Sequence, residues 1–232
     1  MASIDTFWAY YLNDIYRFGE FHKKDDSLIM ELRGYHIKIK NPLYSVASVD
    51  SVLKDTDLYL KCIKDGAFNI ENYPIMDEAL YEYVTAWDKE DMIMCDNFVY
   101  TYPERLFNYN YAIHQENQYH IILNRLKNNI GTNRGVAVLY NPMIDSDAED
   151  IPCLNWLQAT VRNNKLILHC MFRSNDIYGA WPSNMYLLSY LGMKLSDDLG
   201  DNIIFEGIDY HCSSAHYYKT DEDAVKKVIG VI

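Results

Sequence analysis

No two of the five cysteines (Cys62, Cys95, Cys153, Cys170, Cys212) stand in a Cys-X-X-Cys spacing, and five is an odd number. Neither a disulfide framework nor a zinc site is thereby indicated, and a reducing cytoplasm is the compartment that fits. Basic residues are scarce as well: 21 Lys and Arg face 33 Asp and Glu, for a formal charge of −12. So acidic a chain offers no basic face for nucleic acid or an anionic membrane, and an anionic ligand must be held by a few placed arginines. No run of apolar residues free of charge approaches the length of about eighteen that a membrane helix needs. Met1 to Glu20 carries Asp5, Asp14 and Glu20 with no basic start and no small-residue cleavage site, which is unlike a signal peptide. There is no repeat, low-complexity stretch or linker, and one domain over residues 1–232 is expected.

What is present is patterned apolar sequence. Trp8, Tyr11, Leu12, Ile15 and Phe18 recur at helical spacing and predict a first helix ending near Gly19, its apolar stripe in the core. From Leu28 to Lys40 the pattern alternates, with Tyr35, Ile37 and Ile39 on one side and His36, Lys38 and Lys40 on the other, as in a half-buried strand. Helices are expected over Pro74 to Trp87 and over Glu116 to Ile130, the second stopped by Gly131. Strands follow at Val136 to Tyr140, Leu154 to Val161 and Leu166 to Phe172, the last two joined through Asn163-Asn164. Asn tolerates the left-handed backbone of a two-residue turn, so this hairpin brings Cys153 and Arg173 to the same end of a sheet. A helix over Trp181 to Met193, a strand near Ile203 to Ile208 and a short helix near Asp221 to Ile229 complete the pattern. The acidic run Asp145 to Asp150 reads as a solvated loop.

Cys153 stands twenty positions before Arg173, which opens an Arg-Ser-Xaa-Asp cluster (Arg173, Ser174, Asp176) continued by Trp181-Pro182-Ser183-Asn184. A thiolate attacks electron-poor ring carbons, a guanidinium grips phosphate with its planar fork, and an amide matches the edge of a pyrimidine. Locally each residue also has an ordinary reading. Cys153 would be a small buried residue at a strand end, Arg173 and Ser174 a surface ion pair and a turn, Asp176 a helix cap, and His216 with Tyr218 a structural pair.

Ile151-Pro152-Cys153 with Gln158, Phe172 to Asp176, Pro182 to Asn184 and Ala215 to Tyr218 resemble the thymidylate synthase and pyrimidine hydroxymethylase superfamily, most closely its short archaeal-type members. The resemblance runs from about Tyr102 to Tyr218. It implies an α+β thymidylate synthase fold, a mixed β-sheet packed with helices, and a sheet-mediated homodimer with shared active sites. It implies that Cys153 adds to C6 of dUMP and that C5 takes a one-carbon unit from 5,10-methylene-tetrahydrofolate or its methanopterin analogue, giving dTMP, with no metal. By the same resemblance Arg173 and Ser174 bind the phosphate, joined by Arg134 from the partner, with Arg33 a further candidate, and Gln158 is a further substrate-binding residue. A nearby arginine is expected to lower the thiol pKa. Asn184 reads the base, where cytosine-specific relatives use aspartate; His216 and Tyr218 contact the sugar; Asp176 contacts the pterin; Tyr102 assists proton removal from C5.

The chain departs from the family pattern at Leu154, where many relatives have histidine, at Phe172 for glutamine, and at Asn133-Arg134 for two arginines. The upstream catalytic glutamate cannot be aligned, with Glu78 and Glu82 as candidates. Hydroxymethylation of dUMP or dCMP, and nucleotide binding without turnover, are the alternative functions; a retained nucleophile argues against the last.

Overall fold

The computed structural model describes residues 4–40, 100–111 and 114–231. The predicted helix over 74–87, with Glu78 and Glu82, lies outside them. Helix α1 (Ile4–Phe18) buries Tyr11, Leu12 and Ile15 completely. Phe18 departs from the predicted stripe and is 67 % exposed, because the helix closes there, Gly19 N–H bonding Ile15 O, and the chain turns into a strand.

That strand, β1 (Glu20–Lys24), pairs with β2 (Ser27–Lys40) through the two-residue turn Asp25-Asp26, Asp25 having φ 53°. The pattern gives no sign of β1, since four of its five residues are exposed and nothing alternates. Helix α2 (Tyr102–Phe107) starts on a capping box, Glu104 N–H bonding the Thr101 hydroxyl while the Glu104 carboxylate accepts from Thr101 N–H. A two-stranded ribbon, β3 (Tyr109–Tyr111) and β4 (His114–Glu116), leads to α3 (Gln118–Asn128), which buries Tyr119, Ile122, Leu123 and Leu126. Asn129 rather than Gly131 caps α3, its N–H bonding Arg125 O.

Next come β5 (Val136–Val138) and the single turn α4 (Pro142–Asp145). The predicted solvated loop is corrected at its first residue. Asp145 is 3 % exposed and takes a two-pronged bond from Arg105, Nη2 to Oδ1 at 2.7 Å and Nη1 to Oδ2 at 3.2 Å. This buried pair fastens α2 to the segment after β5.

Strands β6 (Leu154–Arg162) and β7 (Lys165–Asp176) form the expected hairpin, with Asn163 and Asn164 at φ 51° and 61°. Helix α5 (Trp181–Leu199) runs a turn and a half past Met193. Strand β8 (Ile204–Tyr218) is far longer than the predicted 203–208, since Tyr210, Cys212, Ala215 and Tyr217 go on filling the core. A short helix, α6 (Glu222–Val228), follows.

The sheet order is β1-β2-β8-β7-β6-β5. Among the described strands only β7 and β8 pair in parallel, and α5 supplies the crossover that a parallel pair needs. At the β2–β8 seam the strands come so close that a Cβ on Gly207, at φ 153°, would lie 2.0 Å from Ile39 O. Helices α1 and α5 pack on one face around Tyr11, Phe172, Trp181 and Tyr210. Alternation sends Leu168, Cys170 and Phe172 into that core and His169 and Met171 to the opposite face. No helix of the described residues is long and apolar enough to cross a membrane.

Candidate active site

Cys153 sits half-buried just before β6. The hairpin register places Leu154 opposite Phe172, and Arg173 N–H donates to Cys153 O at 2.8 Å. The Arg173 guanidinium folds back on the same segment, Nη2 to Ile151 O at 2.6 Å and Nε to Pro152 O at 3.2 Å. Two of its five N–H groups are so used, and three remain for an anion. Asp150 stands 3.9 Å away but is mostly exposed, so it competes weakly for the charge.

Two tyrosines close the other side. Tyr102, the second residue of the Thr101 capping box, accepts the Leu154 N–H at 3.2 Å, one residue from the thiol. Tyr100 donates to Ile151 O at 3.0 Å and touches the thiol electrostatically. Tyr100 was invisible in the sequence, being one of 21 tyrosines with no motif of its own.

Burial has the largest effect on the Cys153 thiol and pushes its pKa up; Arg173, then Lys24 and the Tyr100 hydroxyl, pull it down, and Asp150 adds to the rise. The net direction is up. The expectation that arginine would keep the thiolate populated is therefore corrected: Arg173 acts in that sense, but desolvation outweighs it.

Across β7, Asp176 pairs in register with His216 of β8, and Ile177 N–H bonds His216 O at 2.7 Å. His216 is 2 % exposed. Its Nδ1 faces Ser214 O at 3.4 Å, and its Nε2 lies 3.3 Å from Lys24 Nζ. Burial and then Lys24 push its pKa down to about 4, so at neutral pH the ring is uncharged, Nδ1 carries the proton and Nε2 accepts. Tyr218 stands edge-on to this ring at 5.6 Å, with Lys24 Nζ 5.6 Å from the tyrosine ring centre. Lys24 is the second residue missed by sequence. The Asp25-Asp26 turn after Lys23-Lys24 is the signal that could have revealed it.

Asp176 Oδ1 accepts from Tyr178 N–H at 3.1 Å and Gly179 N–H at 3.0 Å, bending the chain into α5. Glycine leaves room for this carboxylate, since a Cβ at residue 179 would lie 2.5 Å from Asp176 Oδ2 and push it aside. Burial, with Asp221 adding, raises the carboxyl to about 6 despite those two bonds. Asn184, in the first turn of α5, donates through Nδ2 to Asn175 Oδ1 at 3.4 Å, and buried Asn175 donates to the Tyr210 hydroxyl at 3.0 Å. This relay orients the Asn184 amide.

Cys153, Tyr102, Arg173, Asp176, Asn184, His216 and Tyr218 thus gather at one end of the sheet. Ser174 is buried beside them and pairs in register with Ser214 of β8; exposed Arg33 faces Ser214 from β2. Gln158 and Arg134 belong elsewhere. Gln158 lies five residues along β6, roughly 15 Å from Cys153 at strand spacing; it donates to Asn133 O at 2.6 Å. Arg134 is exposed, its carbonyl held by Arg125 Nη1 at 2.8 Å.

Fold and site together set a half-buried thiol beside a guanidinium at one end of the sheet. The family model for thymidylate synthase matches residues 67–230, and the chain belongs to the thymidylate synthase family. It is similar to proteins provisionally named thymidylate synthases in three methanogens. The protein of Methanocaldococcus jannaschii is 34 % identical over 68 % of this chain and 71 % of its own length. That of Methanothermobacter marburgensis is 30 % identical over 90 % and 87 %. That of Methanosarcina acetivorans is 27 % identical over 98 % and 92 %.

Proposed function

We propose that this chain carries a one-carbon unit from 5,10-methylene-tetrahydrofolate, or its methanopterin analogue, to C5 of dUMP through a Cys153 adduct, giving dTMP. One observation carries the reading: Cys153 and Arg173 are joined backbone to backbone at 2.8 Å, with the Tyr102 hydroxyl one residue away. Cys153 then adds to C6, and Tyr102 assists removal of the C5 proton. Arg173 takes the phosphate with its remaining N–H groups, and Ser174 stands next to it. Asn184 offers an amide donor and acceptor to uracil O4 and N3–H. Neutral His216 accepts from the sugar hydroxyl beside Tyr218 once the sugar takes the place of Lys24 at Nε2. Asp176, with a pKa near 6, accepts from pterin N–H groups when ionised and donates when protonated.

The exposure of Arg134 and its distance from its own Cys153 support a homodimer in which Arg134 serves the partner's phosphate. The open sheet face is the surface proposed for that contact. A single cytoplasmic domain completes the proposal. The test is incubation with dUMP and the methylene-carrying pterin, followed by mass spectrometry of the nucleotide. The mass of dTMP supports methylation. The mass of a 5-hydroxymethyl nucleotide would instead make water the final partner, and an unchanged nucleotide would reject one-carbon transfer.

A further inference from the structure

We propose that His36, Asp209 and His211 form a site for one divalent late transition-metal ion, such as Zn²⁺, on the open face of the sheet. His36 of β2 and His211 of β8 are direct antiparallel partners, and their rings stack at 4.1 Å with an interplanar angle of 10°. Asp209 stands two residues before His211, on the same face. Its Oδ1 lies 2.5 Å from His36 Nε2 and 3.6 Å from His211 Nε2, and the three ligand atoms all fall within 4.8 Å of one another.

A carboxylate needs no such convergence for ordinary pairing, since one imidazole already bonds Oδ1 and another, His169, bonds Oδ2 through Nδ1 at 3.1 Å. A metal ion does need it. His169 is in turn fixed at Nε2 by the Thr160 hydroxyl at 2.9 Å. The chain Thr160–His169–Asp209 therefore orients the carboxylate from behind, as outer hydrogen bonds do around metal ligands. Two imidazole nitrogens and one carboxylate oxygen suit Zn²⁺, Co²⁺ or Ni²⁺, whereas Mg²⁺ and Ca²⁺ prefer oxygen alone. On binding, the ion takes the place of the His36–Asp209 hydrogen bond, His36 ligating as the neutral ring with its proton on Nδ1, and water fills the fourth position. The site shares no residue with the Cys153 group. The sequence hid it because these residues converge only through strand pairing.

The test titrates tag-free, EDTA-treated full-length protein with Co²⁺ and follows the visible absorption of the coordinated ion. One Co²⁺ per chain, displaced by Zn²⁺, is expected. His36→Ala, His211→Ala and Asp209→Asn should each weaken binding by at least about tenfold, and His169→Ala by about 10–100-fold. Circular dichroism of each metal-free variant separates lost ligation from lost folding. Because the open face is also proposed for the dimer, light scattering after size exclusion checks that association is unchanged in the variants. Absence of a coordinated-ion spectrum, or equal Co²⁺ binding in wild type and correctly folded His36→Ala and His211→Ala, would overturn the proposal.

Discussion

Arg173 holds the Cys153 segment twice, by its own N–H on the Cys153 carbonyl at 2.8 Å and by its guanidinium on the Ile151 and Pro152 carbonyls at 2.6 and 3.2 Å. The residue proposed to hold the phosphate therefore also holds the segment of the proposed nucleophile, and on that proposal substrate binding and thiol placement are linked.

The thiol should titrate above the roughly 8.5 of a free cysteine, since burial raises it more than Arg173 lowers it. A raised thiol pKa means less thiolate at neutral pH and an alkylation rate that climbs through the alkaline range. Arg173→Gln should move that midpoint higher still and weaken dUMP binding by about 1.5–3 kcal/mol, the value of a hydrogen bond to a charged group. Iodoacetamide labelling of Cys153, followed by mass spectrometry across pH, reads the first effect. A lower midpoint in Arg173→Gln would contradict the assignment.

Asp176 and His216 pull stability in opposite directions with pH. Asp176, about 6 folded against roughly 3.9 unfolded, costs stability above pH 6, and that cost fades as pH falls toward 4. His216, about 4 folded against roughly 6.5 unfolded, costs nothing above 6.5 and progressively more as pH falls toward 4. Asp176→Asn keeps the carbonyl oxygen that caps the turn and removes the first effect. It should therefore be more stable than wild type at pH 8, by about 1–3 kcal/mol, with the gap closing by pH 4.5. Thermal melts of both proteins across pH check this, and a constant gap would show that Asp176 does not titrate near 6.

Arg105→Ala should destabilise the fold by about 3–5 kcal/mol, because it leaves the buried Asp145 carboxylate unpaired. Arg105→Met combined with Asp145→Asn, which removes the charge and keeps an oxygen for the Asn141 N–H, should recover part of that loss. Urea unfolding of the single and double variants reads both, and a loss below about 1 kcal/mol would show that α2 is held by other contacts.

Subunit mixing tests the sharing of sites. Arg134→Ala, weakened in phosphate binding by about 1.5–3 kcal/mol, and inactive Cys153→Ala, once exchanged, should form heterodimers holding one site with wild-type Cys153 and the partner's wild-type Arg134. Activity should recover toward half of wild type per heterodimer. No recovery, with exchange verified by mass, would assign Arg134 to its own chain or to packing alone.

The β6–β7 hairpin was legible because alternation on both strands and two turn asparagines point to the same register; the one-residue shift between Leu154 and Trp156 that brings Arg173 to Cys153 was not. Lys24 was not legible, because β1 is an exposed edge strand whose residues carry no hydrophobic pattern. Tyr100 and the Arg105–Asp145 pair were hidden for another reason: each contact spans 40 residues or more, and local spacing says nothing about it. The thiol's direction of shift also failed to follow from sequence, since burial, the largest effect, is a property of the packed fold.

Replacement of Cys153 by alanine tests the central claim most directly. The variant should keep dUMP affinity within about tenfold, because the thiol acts in the covalent step and adds little to ground-state binding, while product formation falls to background. Product from Cys153→Ala at a rate near that of wild type would contradict the account, since no covalent step through this thiol could then lie on the reaction path.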